Sequence, residues 1–144
     1  MSALLHNRML LCAVSAWLAA QVLKTILYAA VNHRLDWQRL FGDGGMPSGH
    51  SATVTALAVS AALVYGLGSA AFAVSAILAI VVMHDAMGVR LEAGKHAKAI
   101  NELMELLGSS VAPEEKLQEF LGHTPMQVVF GALLGAAVAF VMPL

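Results

Sequence analysis

Residues 52–85 read ATVTALAVSAALVYGLGSAAFAVSAILAIVVMHD, and the reading of this stretch decides the fold. Two apolar runs, Ala52 to Leu67 and Ser69 to Met87, meet at Gly66 and Gly68 in a connection without charge, and no Asp, Glu, Lys or Arg precedes Asp85. A helix crosses the roughly 30 Å hydrocarbon core of a bilayer with about 17–25 mainly apolar residues. The stretch therefore predicts a hairpin of two membrane helices, the first of them short. Working outward, Met9 to Val31 supplies another such run, interrupted by Gln21 and Lys24, and Pro125 to Met142 supplies a fourth. Four crossings would put both termini on one side.

Composition agrees with a chain solvated largely by lipid. Of 144 residues, 59% are hydrophobic and 12% charged, too apolar for an ordinary soluble domain of this length. One membrane domain over residues 1–144 is expected. A formal net charge of -1, with no clustered Lys and Arg, gives no stripe that could track nucleic-acid phosphates. Cys12 is the one cysteine, so no intramolecular disulfide and no cysteine metal cage can form. The six histidines are dispersed and show no metal-ligand spacing, so neither a metal nor another cofactor is expected. The first apolar run is long enough to span and is not followed by a small-residue cleavage site, which reads as a retained helix rather than a signal peptide.

Two polar segments separate the spans. The first, Asn32 to His50, carries Arg34, Asp36, Arg39 and Asp43. The second, Gly88 to His123, contains Ala93, Ala97, Ile100, Met104 and Leu107 at steps of three and four, with Lys95, Lys98, Glu102 and Glu105 on another face. That pattern predicts an amphipathic helix lying on membrane or protein. Pro113, Glu114 and Glu115, with Gly122 further on, predict a second short helix with Pro in its first turn and Gly past its end. Arg34, Arg39, Arg90, Lys95, Lys98 and Lys116 lie on the side of these segments and Arg8 on the other, so the positive-inside bias places both segments in the cytoplasm. A bacterial inner membrane is the expected location.

The candidate chemistry sits where polar segments enter helices. Gly44 to Ser51, GGMPSGHS, delivers His50, Ser48 and Ser51 to the start of a buried helix, where unpaired N–H groups and the positive end of the dipole favour an anion. Simple capping by Ser48 or Ser51 is the alternative. At Leu121 to Gln127, LGHTPMQ, Thr124 and Gln127 have capping-box spacing, which explains both residues but leaves His123 unexplained. Two imidazoles at two entrances on one membrane face can form one phosphate-handling site, one attacking and the other protonating the leaving oxygen. Lys24, within its span, is either a ligand or a snorkelling cation. Asp85 is costly near a span end and either pairs with Lys24 or orients a phosphate-binding cation. Arg90 has a guanidinium suited to bidentate grip of a phosphate, and Lys95 follows it on the more solvated side.

These motifs resemble a known pattern. Pro47-Ser48-Gly49-His50 is similar to the PSGH signature of the type 2 phosphatidic acid phosphatase (PAP2) superfamily, which includes vanadium-dependent haloperoxidases. The series Gly44 to Ala52, Asp85 to Arg90 with Glu92 to Lys95, Asn101, and Leu121 to Pro125 resembles the divergent PAP2 family over nearly the whole chain. The resemblance implies an all-α integral membrane bundle, here of about four transmembrane helices plus two short polar-region helices. It implies His123 as nucleophile, His50 as general acid, and Ser48 and the Gly49 backbone as ligands of phosphoryl oxygens. Lys24 matches the first-motif lysine, with Arg90 and Lys95 as further phosphate ligands and Asp85 and Gln127 in support. The chain departs from the superfamily where Arg would fall, at Val31 and Leu117, and where an Asp would back the nucleophile, at Gln127. The partner implied is a phosphorylated lipid, hydrolysed without metal through a phosphohistidine. A relative that binds, moves or scaffolds without turnover is the second reading, and a structural bundle the third. A homodimer would cover polar surface that so few spans leave open.

Overall fold

The computed structural model describes residues 6–34, 45–107, 116–119 and 121–142, and all regular structure among them is helical. Five helices follow in order: α1 (Arg8–Asn32), α2 (Gly49–Tyr65), α3 (Ala70–Met87), α4 (Val89–Leu106) and α5 (Pro125–Val141). α1 and the α3 segment are long and apolar enough to cross a membrane, while α2 and α5 are apolar and shorter, at 17 residues each. A 17-residue helix is about 25 Å long, at the lower limit for a crossing.

α2 is the central helix, packed on α1, α3 and α5, with α1 also touching α5. Small side chains make these contacts possible. The core joins Cys12, Ala16 and Ala20 of α1 to Ala52 and Ala56 of α2 and Ala139 of α5. A Cβ added at Gly131 would strike the Ser48 carbonyl oxygen, and one at Gly135 the Ala52 carbonyl oxygen, so α5 rests on α2 backbone. Large apolar side chains point outward instead: Val74, Ile77, Ile80 and Val81 of α3 and Val129, Leu133 and Phe140 of α5 are all exposed, Val74 by 70%. A soluble protein buries its large apolar groups and leaves no such continuous belt. Small residues inside and large ones outside is the arrangement of helices packed in lipid.

The ends form as the local chemistry requires. Ser48 Oγ accepts from Ser51 N–H, Ser69 Oγ from Phe72 N–H, and Asn7 Oδ1 from Leu10 N–H, each satisfying a donor of a first turn. The second helix begins at Gly49 rather than Ala52, which carries His50 into its first turn. α4 is the amphipathic helix, but its buried face is Gly94, Ala97 and Asn101. Of the stripe expected to lie on membrane or protein, Ala97 is buried and Met104 partly so, while Ala93, Ile100 and Leu107 are left open by the protein itself. The cause is Asn101: its Nδ2 donates to Leu117 O (3.0 Å) and Glu119 Oε1 (2.9 Å), and its Oδ1 accepts from Leu117 N–H (3.1 Å). These bonds turn the Gly94, Ala97 and Asn101 face toward the returning chain. Residues 116–119 form a non-helical strap held to α4, so the short helix expected after Pro113 is not formed over its described part. Asp36, Arg39, Asp43 and Pro113 to Glu115 lie outside the described residues.

Candidate functional site

Two backbone bonds draw the entrances of α2 and α5 together at one end of the bundle. Ser48 N–H donates to Gln127 O (3.1 Å), and His123 N–H donates to Ala86 O (2.9 Å). The first ties the start of α2 to the first turn of α5, and the second ties the strap to the end of α3. Gly122 allows the close approach: it has φ +88°, and a Cβ there would strike the backbone at Arg90 and Leu91. Gly94 similarly lies under the backbone of Glu119 and Leu121, with a would-be Cβ at 2.6 Å from the Glu119 carbonyl oxygen.

The result is a pair of imidazoles. The rings of His50 and His123 stand 5.9 Å apart by centroid, tilted by 57°. His123 is buried, while His50 is partly open. Ser48 and Ser51, at the start of α2, are wholly buried, with Ser51 Oγ donating to Ser48 Oγ (3.0 Å). His50 itself stands in the first turn of α2, the end at which the helix dipole is positive.

Gln127 sets the chemistry of His123. Its Oε1 accepts from Thr124 N–H (3.0 Å), the return bond of a capping box whose other half runs from Gln127 N–H to Thr124 Oγ1 (3.4 Å). That backbone donor fixes which end of the amide is oxygen. The same Oε1 lies 3.3 Å from His123 Nδ1 and accepts from it in the tautomer that carries its proton there. Nε2 then carries the lone pair. The capping role and the orienting role are filled by one atom.

Lys24 reaches this end of the bundle from α1. It is only 6% exposed and its Cγ and Cδ pack against Gly45, so it turns inward rather than snorkelling along the outer surface. Asp85 does not pair with Lys24: its Oδ2 takes Arg90 Nε at 2.7 Å across the α3–α4 junction. The geometric reason is that junction, which places Arg90 within reach of the last turn of α3. Arg90 is half exposed, beside the strap that carries His123. Lys95 pairs with Glu92 on the exposed face of α4 at 2.6 Å, and nothing brings it to the imidazoles. The Lys95 hydrogen bond, then its charge, holds the Glu92 carboxyl below its ordinary value. Among the described residues no three His, Cys, Asp or Glu side chains converge as a metal site would require.

Three residues at or behind the site were not singled out from sequence as functional. Gln21, buried on α1, has an Oε1 without a hydrogen-bond partner and lies beside Gly49 together with Trp17. Its signal was present as a polar residue within an apolar run, three positions before Lys24. Asn101 holds the strap, and Gly131 lets α5 reach the Ser48 carbonyl.

A pair of imidazoles carried on two helix entrances thus meets at one end of an all-helical bundle. The chain belongs to the divergent PAP2 family, whose sequence model matches residues 5–138. It is 42% identical over 151 aligned positions to a Bacillus subtilis (strain 168) protein named uncharacterized membrane protein YuiD, covering 96% of each chain. No solved structure matches it.

Proposed function

We propose that the chain is a four-span integral membrane protein that binds a phosphorylated lipid at its His50–His123 end and hydrolyses it through a phosphohistidine. The observation that carries this reading is the imidazole pair, 5.9 Å apart, at the entrances of α2 and α5. The outward belt of large apolar side chains and the name of the Bacillus relative support the membrane. Arg34, Arg90, Lys95, Lys98 and Lys116 fall in the polar segments that follow α1 and α3, and Arg8 at the start of α1, a bias that favours a cytoplasmic site.

In this mechanism His123 Nε2 attacks phosphorus, and the oxygen of the leaving group takes a proton from His50 as its bond to phosphorus breaks. Water then attacks the phosphohistidine, giving its proton to His50 and releasing phosphate and His123. The N–H groups at the start of α2, with Lys24 and the Nη edge of Arg90, offset the charge on the equatorial oxygens. Gln127 supports a second reading. Its amide orients His123 but has no charge to stabilise the ring once that becomes cationic, which favours binding over turnover.

Orthovanadate, which mimics a phosphoryl group in transfer, tests the assembled pocket by calorimetry in detergent. Binding lost in both His123→Ala and His50→Ala is expected, and no binding to the wild type at millimolar vanadate would overturn the phosphate reading. Phosphate release from a lipid phosphate, absent in His123→Ala, separates the enzyme from the binding protein.

A further inference from the structure

An apolar groove of about 450 Å³ opens beside the site between α1 and α5, lined by Leu23, Leu27, Met46, Pro47, Phe130 and Leu133, with Leu134 at its base. Its volume falls in the range of roughly 300–1,000 Å³ that small-molecule sites occupy. Three features set it apart from the rest of the lipid-facing surface. Its roof, Met46 and Pro47, runs directly into Ser48 and Gly49 at the α2 entrance. Its α1 wall, Leu23 and Leu27, flanks Lys24, which turns inward to the same entrance. Its α5 wall begins in the turn that follows Gln127. At 1.5 Å per residue, Leu134 lies about 14 Å below the start of α5, close to half of a roughly 30 Å core. The groove therefore descends through one leaflet from the level of the imidazoles.

We infer that this groove receives a hydrocarbon chain of the same lipid whose phosphate lies between His50 and His123, so that the substrate docks laterally from the bilayer with its chain between α1 and α5. The inference rests on the phosphate reading and adds to it a route and a chain-recognising surface. Transfer of a chain from bilayer to groove removes no apolar area from water. Its contribution must come from packing and from setting the depth of the phosphate. An ordinary bilayer lipid could fill the same groove without any link to the site. Linkage between chain and phosphate is therefore what the experiment must read.

The test uses the full chain in nanodiscs with a photoreactive p-benzoylphenylalanine in place of Leu133, in the groove, or of Ile77, on the outer face of α3. Both positions are exposed, so neither substitution enters the core. Each sample is exposed to a labelled phosphatidic acid or to the matching diacylglycerol. The expected result at position 133 is preferential capture of the phosphatidic acid, lost when orthovanadate occupies the site, with no preference at position 77. A second variant, Leu133→Ser, removes apolar contact from the groove wall without filling it and is expected to weaken phosphatidic acid binding about tenfold while leaving vanadate affinity unchanged. Equal capture of both lipids at position 133, insensitive to vanadate, would overturn the inference and leave the phosphate site standing. Failure of vanadate to bind the wild type would remove the phosphate reading and the inference with it.

Discussion

Gly131→Ala should damage the candidate site from behind, by pressing on Ser48 and Ser51 at the α2 entrance. The added Cβ would overlap the Ser48 carbonyl oxygen and lie 3.0 Å from Ser51 Cβ and 3.1 Å from Ser48 Cβ. Ordinary contact begins near 3.4 Å, and the obstacle is helix backbone, so α5 and α2 must separate by about 1 Å. The same separation stretches the Ser48 N–H to Gln127 O bond, now 3.1 Å, beyond hydrogen-bond range. Overpacking of this kind costs about 1–3 kcal/mol of stability. A displacement of about 1 Å at a reacting group costs on the order of 100-fold in rate, and vanadate affinity should fall by tenfold or more. Calorimetry with orthovanadate and thermal unfolding in detergent measure the two effects, with Gly68→Ala as control because a Cβ there meets nothing within 4 Å. If Gly131→Ala unfolds as the wild type does and binds vanadate equally well, the α2–α5 contact does not set the site.

Asn101→Ala removes three hydrogen bonds to the strap and should cost about 1–3 kcal/mol, read as faster amide exchange at Leu117 and weaker vanadate binding. Unchanged exchange there would show that the strap is held by other contacts. Lys95→Ala should leave vanadate affinity within about twofold of wild type, since Lys95 ends in an exposed pair with Glu92, whereas Arg90→Ala should weaken it about tenfold. Equal losses in both would place Lys95 at the phosphate. The Glu105–Lys116 pair, 2.6 Å, ties the strap to α4. Its hydrogen bond, then its charge, holds the Glu105 carboxyl below the ordinary 4.5 and Lys116 above 10.5. A depressed carboxyl adds stability above its unfolded value and loses it as pH falls through the folded one. The tie should therefore hold at neutral pH and weaken below about pH 4.5; the raised lysine loses its share only above about 10.5. Exchange at 116–119 that rises between pH 7 and pH 6 would contradict this assignment.

The apolar helices were legible because their signal is local: long runs without charge, bounded by Gly66 and Gly68, by Ser69 and by Thr124-Pro125. The caps at Ser48 and Thr124 were legible for the same reason. Which face α4 buries was not, since an apolar count favours Ile100 and Leu107, whereas the side facing the strap is chosen by what Asn101 can bond across 16 and 18 residues. The partner of Asp85 was left open in the sequence, between Lys24 and a cation of the site, and only the path of the chain at the α3–α4 junction selects Arg90. The imidazole pair lay between these cases. Each histidine was visible at a helix entrance, but their meeting depends on Gly122 and Gly131, whose role is to have no side chain.

That dependence explains how so small a bundle can hold two rings in register. Within lipid the burial of apolar area between helices gives little, so helices associate through close packing of small residues and backbone contact. Cys12, Ala16, Ala20, Ala52, Ala56, Gly131, Gly135 and Ala139 provide that contact here, and the same line of residues along α2 and α5 ends at Ser48 and Gln127. The packing that holds the bundle is continuous with the bond that aligns the entrances. A change that loosens one must loosen the other, so stability and phosphate affinity should fall together for substitutions along this seam. For substitutions at Arg90, which touches the site from the partly exposed side and outside the seam, affinity should fall alone.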